Sequence, residues 1–498
     1  MYLLGIDLGS SSVKVALLDS KSGKIIAQVS SPSTEMSMYA AQAGWAEQDP
    51  ENWWYHITIA CKTVLGKNDT DTSKIIGIGI AYQMHGLVVV DKNQQVLRPS
   101  IIWCDSRATA IGNNALDTLG EKFCLSRYLN SPGNFTASKL KWVKENEPDI
   151  YAQIYKAMLP GDYVAMRMTG EIRTTVSGLS EGVLWDFQQH QIASDLLDHY
   201  GLSELLLPEL VETFGAQGKL TKVAAKQLGL VEGIPLGYRA GDQPNNALSL
   251  GVINPNQVAA TGGTSGVVYG IVNKAVTDPK SRINGFAHVN HQQAEPRIGI
   301  LLCINGAGSQ YAWIKEQIAT EGMTYPDIER ALAAISIGAD GLRWFPFGNG
   351  AERILENNYQ GAQLFNLQLQ RHGKSHLYRA ALEGIAFAFV YGLEILNAMG
   401  IYPKTIRVGN DNLFQSDIFS STIATLANIK IEMINSTGAI GAAKGAGFGV
   451  GVYKSLEEAI GELDILHSYM PETNDFSQYE KAYTDWKSIL EKQYKIVN

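Results

Sequence analysis

The chain has 498 residues, 45% of them apolar and 18% charged, enough apolar material for large packed cores and too much for a disordered protein. At ~150 residues per domain it holds two or three units. Lysine plus arginine number 41 against 49 aspartate plus glutamate, and the net charge of −8 argues against the basic field of a nucleic-acid-binding protein.

The chain opens on a buried-strand run, Leu3–Asp7, then the small-residue turn Gly9-Ser10-Ser11-Ser12, the strand Val13–Asp19, the turn Ser22-Gly23 and the strand Lys24–Ala27. Strand, turn, strand, turn, strand is a meander. Asp49 then caps a helix with Pro50 at its first position and Gly66 as its stop. Ile75–Tyr82 and Leu87–Asp91 read as further strands. Halfway along, the opening pattern returns: Gln257–Thr261 as strand, Gly262-Gly263-Thr264-Ser265-Gly266 as turn, Val267–Val272 as strand. The repetition implies an internal structural duplication, with its boundary near Asn254-Pro255-Asn256. The second half continues with a strand over Arg297–Asn305 and a helix after Gly306-Ala307-Gly308-Ser309 that ends near Ala319. A long helix follows over Lys374–Met399, then a strand over Thr405–Val408, a helix over Leu413–Ala427 and a strand over Lys430–Ile434. Thr437–Gly451 is so rich in alanine and glycine that it predicts a helix packed closely on a neighbour or a ligand. The alternation is that of an α/β protein of two lobes in direct contact.

Cys61, Cys104, Cys124 and Cys303 are scattered without a CxxC pair, which reads as four free thiols in a reducing compartment. No apolar run reaches ~18 residues without polar interruption. The first charge is the acid Asp7, with no basic segment before an apolar stretch, so no signal peptide is expected. The expected location is the cytoplasm.

Neither GxxxxGK[ST] nor GxGxxG occurs. The two small-residue turns can instead form anion-binding nests around phosphate oxygens, one from each lobe, although a single Gly/Ser turn is more often a plain hairpin. Asp7, directly before the first turn, would repel phosphates unless a divalent cation lay between. It reads as a partner of Mg²⁺ through water, or as a simple turn cap. Asp242, in Ala240-Gly241-Asp242-Gln243-Pro244, stands at a helix start, where a carboxylate is either a base beside a reacting hydroxyl or an ordinary N-cap. Gln83-Met84-His85-Gly86 closes the strand Ile75–Tyr82, a place that commonly lines a cleft in α/β proteins. Trp103 offers a stacking face, with Asp105 and Arg107 as a structural pair. His288 and His291 lack a third ligand at metal spacing.

Taken in order, GIDLGSSSVK, QMHG, IIWCDSRA, AGDQPNN, TGGTSG and GAIGAAKGAG resemble the FGGY family of carbohydrate kinases, within the actin-like ATPase superfamily, over roughly residues 3–450. Met84-His85, Phe135–Leu140, Leu159–Tyr163 and Arg167–Gly170 are similar to its xylulokinase subgroup, and Met84-His85 departs from the glycerol kinases. The resemblance implies two ribonuclease-H-like lobes, residues 1–250 for sugar and catalytic base and residues 251–498 for nucleotide, with ATP, Mg²⁺ and D-xylulose meeting in the cleft. It implies that Asp242 takes the proton from the sugar 5-hydroxyl. Gln83, Met84, His85 and Asp242 are then expected on the sugar, and Trp103 as a wall. Asp7 is expected on the metal, Ser11, Ser12, Gly263 and Thr264 on phosphates, and Gly308, Gly409 and Asn410 on the nucleotide. A homodimer is expected because related kinases often dimerise. One segment departs from the family: Gly409-Asn410-Asp411-Asn412-Leu413-Phe414 stands where many members have a glycine-rich adenosine loop, and Asp411 is an odd neighbour for phosphate. The alternatives are a kinase for another ketose or polyol such as ribulose or glycerol, a family member without activity, or a non-catalytic actin- or chaperone-like ATPase clamp.

Overall fold

The computed structural model describes residues 1–67, 70–410 and 412–494. Its first sheet has five principal strands: β1 (Tyr2–Leu8), β2 (Val13–Asp19), β3 (Ile25–Ser31), β4 (Ile75–Tyr82) and β5 (Leu236–Gly241). Their order is β5-β4-β1-β2-β3. The meander β1-β2-β3 is antiparallel, while β4 runs parallel to both β1 and β5. Leu8 and Gly241 both align with Tyr82, so three strands end at one edge and release Gly9, Gln83 and Asp242 side by side. That edge is where an α/β sheet presents a ligand.

Helix α1 (Pro50–Gly66) covers one face, capped as its sequence requires: the Asp49 side chain accepts from the Glu51 N–H at 2.9 Å, a cap worth about 1 kcal/mol. Its Trp53, Trp54, Ile57, Cys61 and Val64 repeat at helical spacing and are buried. Three further helices carry site residues: α2 (Thr136–Asn146), α3 (Val176–Glu181) and α4 (Asp242–Ser249).

The second sheet has seven strands: β6 (Val258–Gly262), β7 (Gly266–Val272), β8 (Asn284–Ala287), β9 (Ile298–Ile304), β10 (Thr405–Gly409), β11 (Lys430–Ile434) and β12 (Ile465–Tyr469). Their order is β8-β9-β7-β6-β10-β11-β12. Its inner five, β9-β7-β6-β10-β11, repeat the first sheet strand for strand, with the same antiparallel meander and two parallel neighbours. The duplication expected from two strand–turn–strand openings is therefore a duplication of topology.

Three helices complete the frame: α5 (Ala307–Trp313), α6 (Lys374–Ala398) and α7 (Gly438–Gly449). Among the described residues α6 alone is long and apolar enough to cross a membrane, and 89% of its most apolar stretch is buried inside the protein. It is the core helix of the second half. The 413–427 helix begins later than the sequence suggests, because residues 412–415 form a 3₁₀ turn and Ser416 caps the α-helix at Asp417.

Helix α7 belongs by sequence to the second half and packs on the first sheet. A Cβ on Gly5 or Gly79 would fall on the carbonyl oxygens of Ala439 or Ala442. One on Gly237 would lie 2.8 Å from that of Ala446. The glycines of β1, β4 and β5 thus let helix backbone lie on strand backbone, and the small residues of α7 serve a neighbour. The halves also meet at β8, where Ala287 accepts from the Ser177 hydroxyl and donates to that of Ser180, both at 3.0 Å.

Candidate active site

Asp7 and Asp242 stand at the same edge of the first sheet, on either side of β4, and each carboxyl is pushed above its ordinary value chiefly by burial. Asp242 reaches about 7, with the nearby Asp7 charge as the second cause. Gln243 partly offsets this by donating to the carboxylate. Asp242 is the first residue of α4, whose N-cap is Gly241, so the carboxylate is not serving as the cap. Nor does Asp7 cap its turn: the Gly9 N–H goes to the Ser12 carbonyl at 3.0 Å, and Lys14, its cross-strand partner, is exposed. A Cβ on Gly438, at the start of α7, would press on the Asp7 carboxylate and stand 3.0 Å from Asn246 Oδ1. Two desolvated, mutually repelling carboxylates at the end of a cleft fit a divalent cation that keeps its water and takes its remaining ligands from phosphates. Among the described residues no group of three or more His, Cys, Asp or Glu side chains could hold a metal by itself.

His85 sits beside them with φ of 60°, a left-handed conformation uncommon for a residue with a side chain. Its Nδ1–H donates to the Glu181 carbonyl at 2.8 Å, since a carbonyl can only accept. Burial pushes its pKa down to about 3, so the ring is neutral at physiological pH and Nε2 is left as an acceptor for a hydroxyl. Phe135 and Phe286 flank the imidazole at centroid distances of 4.8 and 5.3 Å, and Phe286 comes from β8 of the other half. Met84 is buried against Gly241, where a Cβ would meet its Cγ at 2.6 Å. Trp103 is 46% exposed, free to face a ligand. Gln83 supports the first turn from below through its Nε2, and its Oε1 has no partner among the described residues. Only 2% exposed, it donates to Gln48 Oε1 at 3.0 Å, and Gln48 Nε2 donates to the Ser10 carbonyl at 2.7 Å.

The second half presents its own edge. Ser11 and Ser12 of the first turn have counterparts in Gly263 and Thr264, with Ser11 and Thr264 exposed. The N–H groups of Gly308 and Ser309 donate to the carbonyls of Gly263 and Thr264 at 3.1 and 3.0 Å, joining the start of α5 to the turn. A Cβ on Gly308 would strike the Gly263 carbonyl, so this glycine is required by the turn's approach. Gly409 ends β10, Asn410 is exposed, and Gln415 Nε2 donates to both oxygens of Asn410 at 3.3 Å. Asp411 lies outside the described residues. His288 and His291 are held by Tyr269 and by the Arg297 N–H.

Two buried ionisable groups beside these residues escape a reading of spacing. Lys139 is fully buried in α2 and donates to the carbonyls of His85 and Ile102, both at 2.9 Å, tying the His85 loop to the strand end before Trp103. Its one sequence signal is a lysine on an otherwise apolar helix face. Glu181, 1% exposed, stands behind Gly241 with Oε2 2.6 Å from where a Cβ would be. Burial raises its carboxyl well above the ordinary range, with the charges of Asp242 and Asp162 adding to the rise. The expected pairing of Asp105 with Arg107 is present at 2.7 Å, with the guanidinium 3.8 Å from the Trp45 ring centre.

Two topologically equivalent sheets, with carboxylates on one facing edge and glycine-rich turns on both, define an actin-like ATPase fold turned to phosphoryl transfer. Residues 2–249 match the N-terminal domain of the FGGY family of carbohydrate kinases, and residues 258–449 match its C-terminal domain. The chain is similar to the xylulose kinase of Escherichia coli strain K12, 30% identical over 497 residues and covering 99% of each chain. It is also similar to the xylulose kinase of Bacillus subtilis strain 168, 29% identical over 98% of this chain and 96% of the relative. The crystal structure of a xyloylose kinase from Brucella ovis superposes with a TM-score of 0.89 at 26% identity, over 99% of this chain and 100% of the other. The chain belongs to the FGGY family of carbohydrate kinases, and it is an ATP-dependent sugar kinase.

Proposed function

We propose that the enzyme phosphorylates D-xylulose at its 5-hydroxyl, with Asp242 as general base. The carrying observation is the Asp242 carboxyl, desolvated beside Asp7 and raised to about 7, a proton affinity matched to work near neutral pH. The hydroxyl oxygen forms a bond to the γ-phosphorus, the bond to the bridging oxygen of ADP breaks with its electron pair leaving on ADP, and the hydroxyl proton passes to Asp242. Positioning and electrostatics supply most of the rate in such transfers.

In this reading residues 1–250 bind the sugar and residues 251–498 the nucleotide. His85 Nε2 accepts from a sugar hydroxyl, Met84 fills the apolar side, Trp103 walls the pocket, and Gln83 acts through Gln48 on the first turn. Ser11, Ser12, Gly263 and Thr264 face the phosphates, and Gly409 and Asn410 the nucleoside. Asp7 would hold Mg²⁺ through water, and the ion when bound would supply charge neutralisation on the phosphates. The location is the cytoplasm, and the assembly a homodimer.

The test is ADP release with Mg-ATP across a panel of ketoses and polyols. Rapid turnover with D-xylulose and little with glycerol or ribulose is the expected result. Preference for a different ketose keeps Asp242 and discards the sugar. ATP binding with no sugar-stimulated release would discard the kinase assignment.

A further inference from the structure

The chain has fourteen arginines. Thirteen of them form an ion pair with a carboxylate. The exception among the described residues is Arg353, which is only partly exposed. A guanidinium withdrawn from water without a carboxylate is costly, and sites that keep one usually have an anion to meet.

Its surroundings say where that anion lies. Arg353 begins a 3₁₀ turn, Arg353–Leu355, whose Ile354 and Leu355 are each 1% exposed. The preceding Glu352 is fully buried, and its carboxylate accepts from the N–H groups of Asn305 and Gly306 at 2.9 Å each. Both of its oxygens are thus committed to the backbone ahead of α5. Asn305 Nδ2 donates to the Ala351 carbonyl at 2.6 Å, pinning the same segment from the other side. Arg353 therefore projects from an anchored backbone. Its charge is felt by two groups: the Cys303 thiol of β9, which lies within hydrogen-bond reach of Ser265 in the 262–266 turn, and the His85 ring on the opposite half. The backbone that carries Arg353 is thus tied, through Asn305 and Gly306, to the start of α5 that holds the turn assigned to phosphates, and the charge of Arg353 reaches the imidazole assigned to sugar.

We propose that Arg353 is a catalytic residue that donates hydrogen bonds to the non-bridging oxygens of the phosphoryl group in flight from ATP to the sugar. The proposal rests on the kinase reading above. Bonds change as already written: oxygen to phosphorus forms, the bond to ADP breaks, and the proton goes to Asp242. Arg353 neither gains nor loses a proton; it holds charge that spreads onto the equatorial oxygens in the transition state.

Arg353→Ala and Arg353→Lys are to be compared with wild type in sugar-dependent ADP release and in the slow hydrolysis of ATP without sugar. Arg353→Ala is expected to lower kcat about 10²–10³-fold, with KM for the sugar within about threefold of wild type. ATP hydrolysis should fall with it, added guanidinium ion should restore part of the loss, and Arg353→Lys should lie between. A raised sugar KM at unchanged kcat would make Arg353 a sugar ligand and overturn the proposal. Unchanged kinetics would overturn it too, as would a loss that guanidinium does not rescue and that accompanies a lower Tm in both variants. If wild type phosphorylates no sugar at all, the substrate reading fails, while hydrolysis to water still decides the role of Arg353.

Discussion

The two sheets share one strand order but differ in what they set at their facing edges. The first sets carboxyls at its strand ends: Asp7 in the last pleat of β1 and Asp242 directly after β5, with Glu181 buried behind. The corresponding places of the second, after β6 and β11, carry Gly262-Gly263-Thr264-Ser265 and Asn435-Ser436, neutral residues with hydroxyls, amides and backbone N–H groups. A duplicated scaffold has been divided between two tasks. In the proposed reaction one edge takes a proton and meets a cation, and the other cradles anions. The covering helices divide in the same way. On the first sheet, glycines meet the backbone of α7 directly. On the second, Gly266 lies beneath the Phe389 ring of α6, an end-on contact with a side chain.

That contrast can be broken at several points. The largest effect is expected from Asp242→Asn, which should keep the fold and lower kcat by about 10²–10⁴-fold, as measured by ADP release. Packing comes next. Gly5→Ala drives a methyl into the Ala439 carbonyl and should cost about 3 kcal/mol, whereas Gly266→Ala meets an aromatic ring that can shift and should cost about 1 kcal/mol. Urea unfolding of both variants measures the difference, and equal costs would remove the distinction between the two helices. The smallest effect is one of stability. Folded Asp242 keeps its proton up to about 7, whereas unfolded aspartate loses it near ~3.9, so ionisation increasingly disfavours the fold as pH rises through that window. Asp242→Asn should therefore raise Tm at pH 8 and change it little at pH 4.

Much of the scaffold is legible in the sequence because its signals are local. Strand–turn–strand openings at Leu3 and Gln257 announce the duplication, and Asp49-Pro50 announces α1. Asp7 and Asp242 stand at strand ends with a glycine no more than two residues away, where a reader looks for a cleft. The destination of α7 is not local: it depends on Gly5, Gly79 and Gly237, far apart in the chain, exposing backbone to one helix. Lys139 and Arg353 are hidden for a related reason. A lysine bonded to two carbonyls and an arginine without a carboxylate acquire meaning only when the fold shows which partners they have. Gln83 shows a division that spacing does not reveal: its Nε2 is committed to Gln48, while its Oε1 is buried without a partner among the described residues.

The central claim is that Asp242 is a base whose proton affinity is set by burial and by Asp7. The most direct measurement is the pH dependence of kcat/KM for the sugar, at saturating magnesium, in wild type and in Asp7→Asn. Wild type should lose activity about tenfold per unit below a midpoint near about 7. In Asp7→Asn the same limb should move to lower pH, because the neighbouring negative charge is gone. A wild-type profile without that limb, or a limb that stays in place in Asp7→Asn, would contradict the claim.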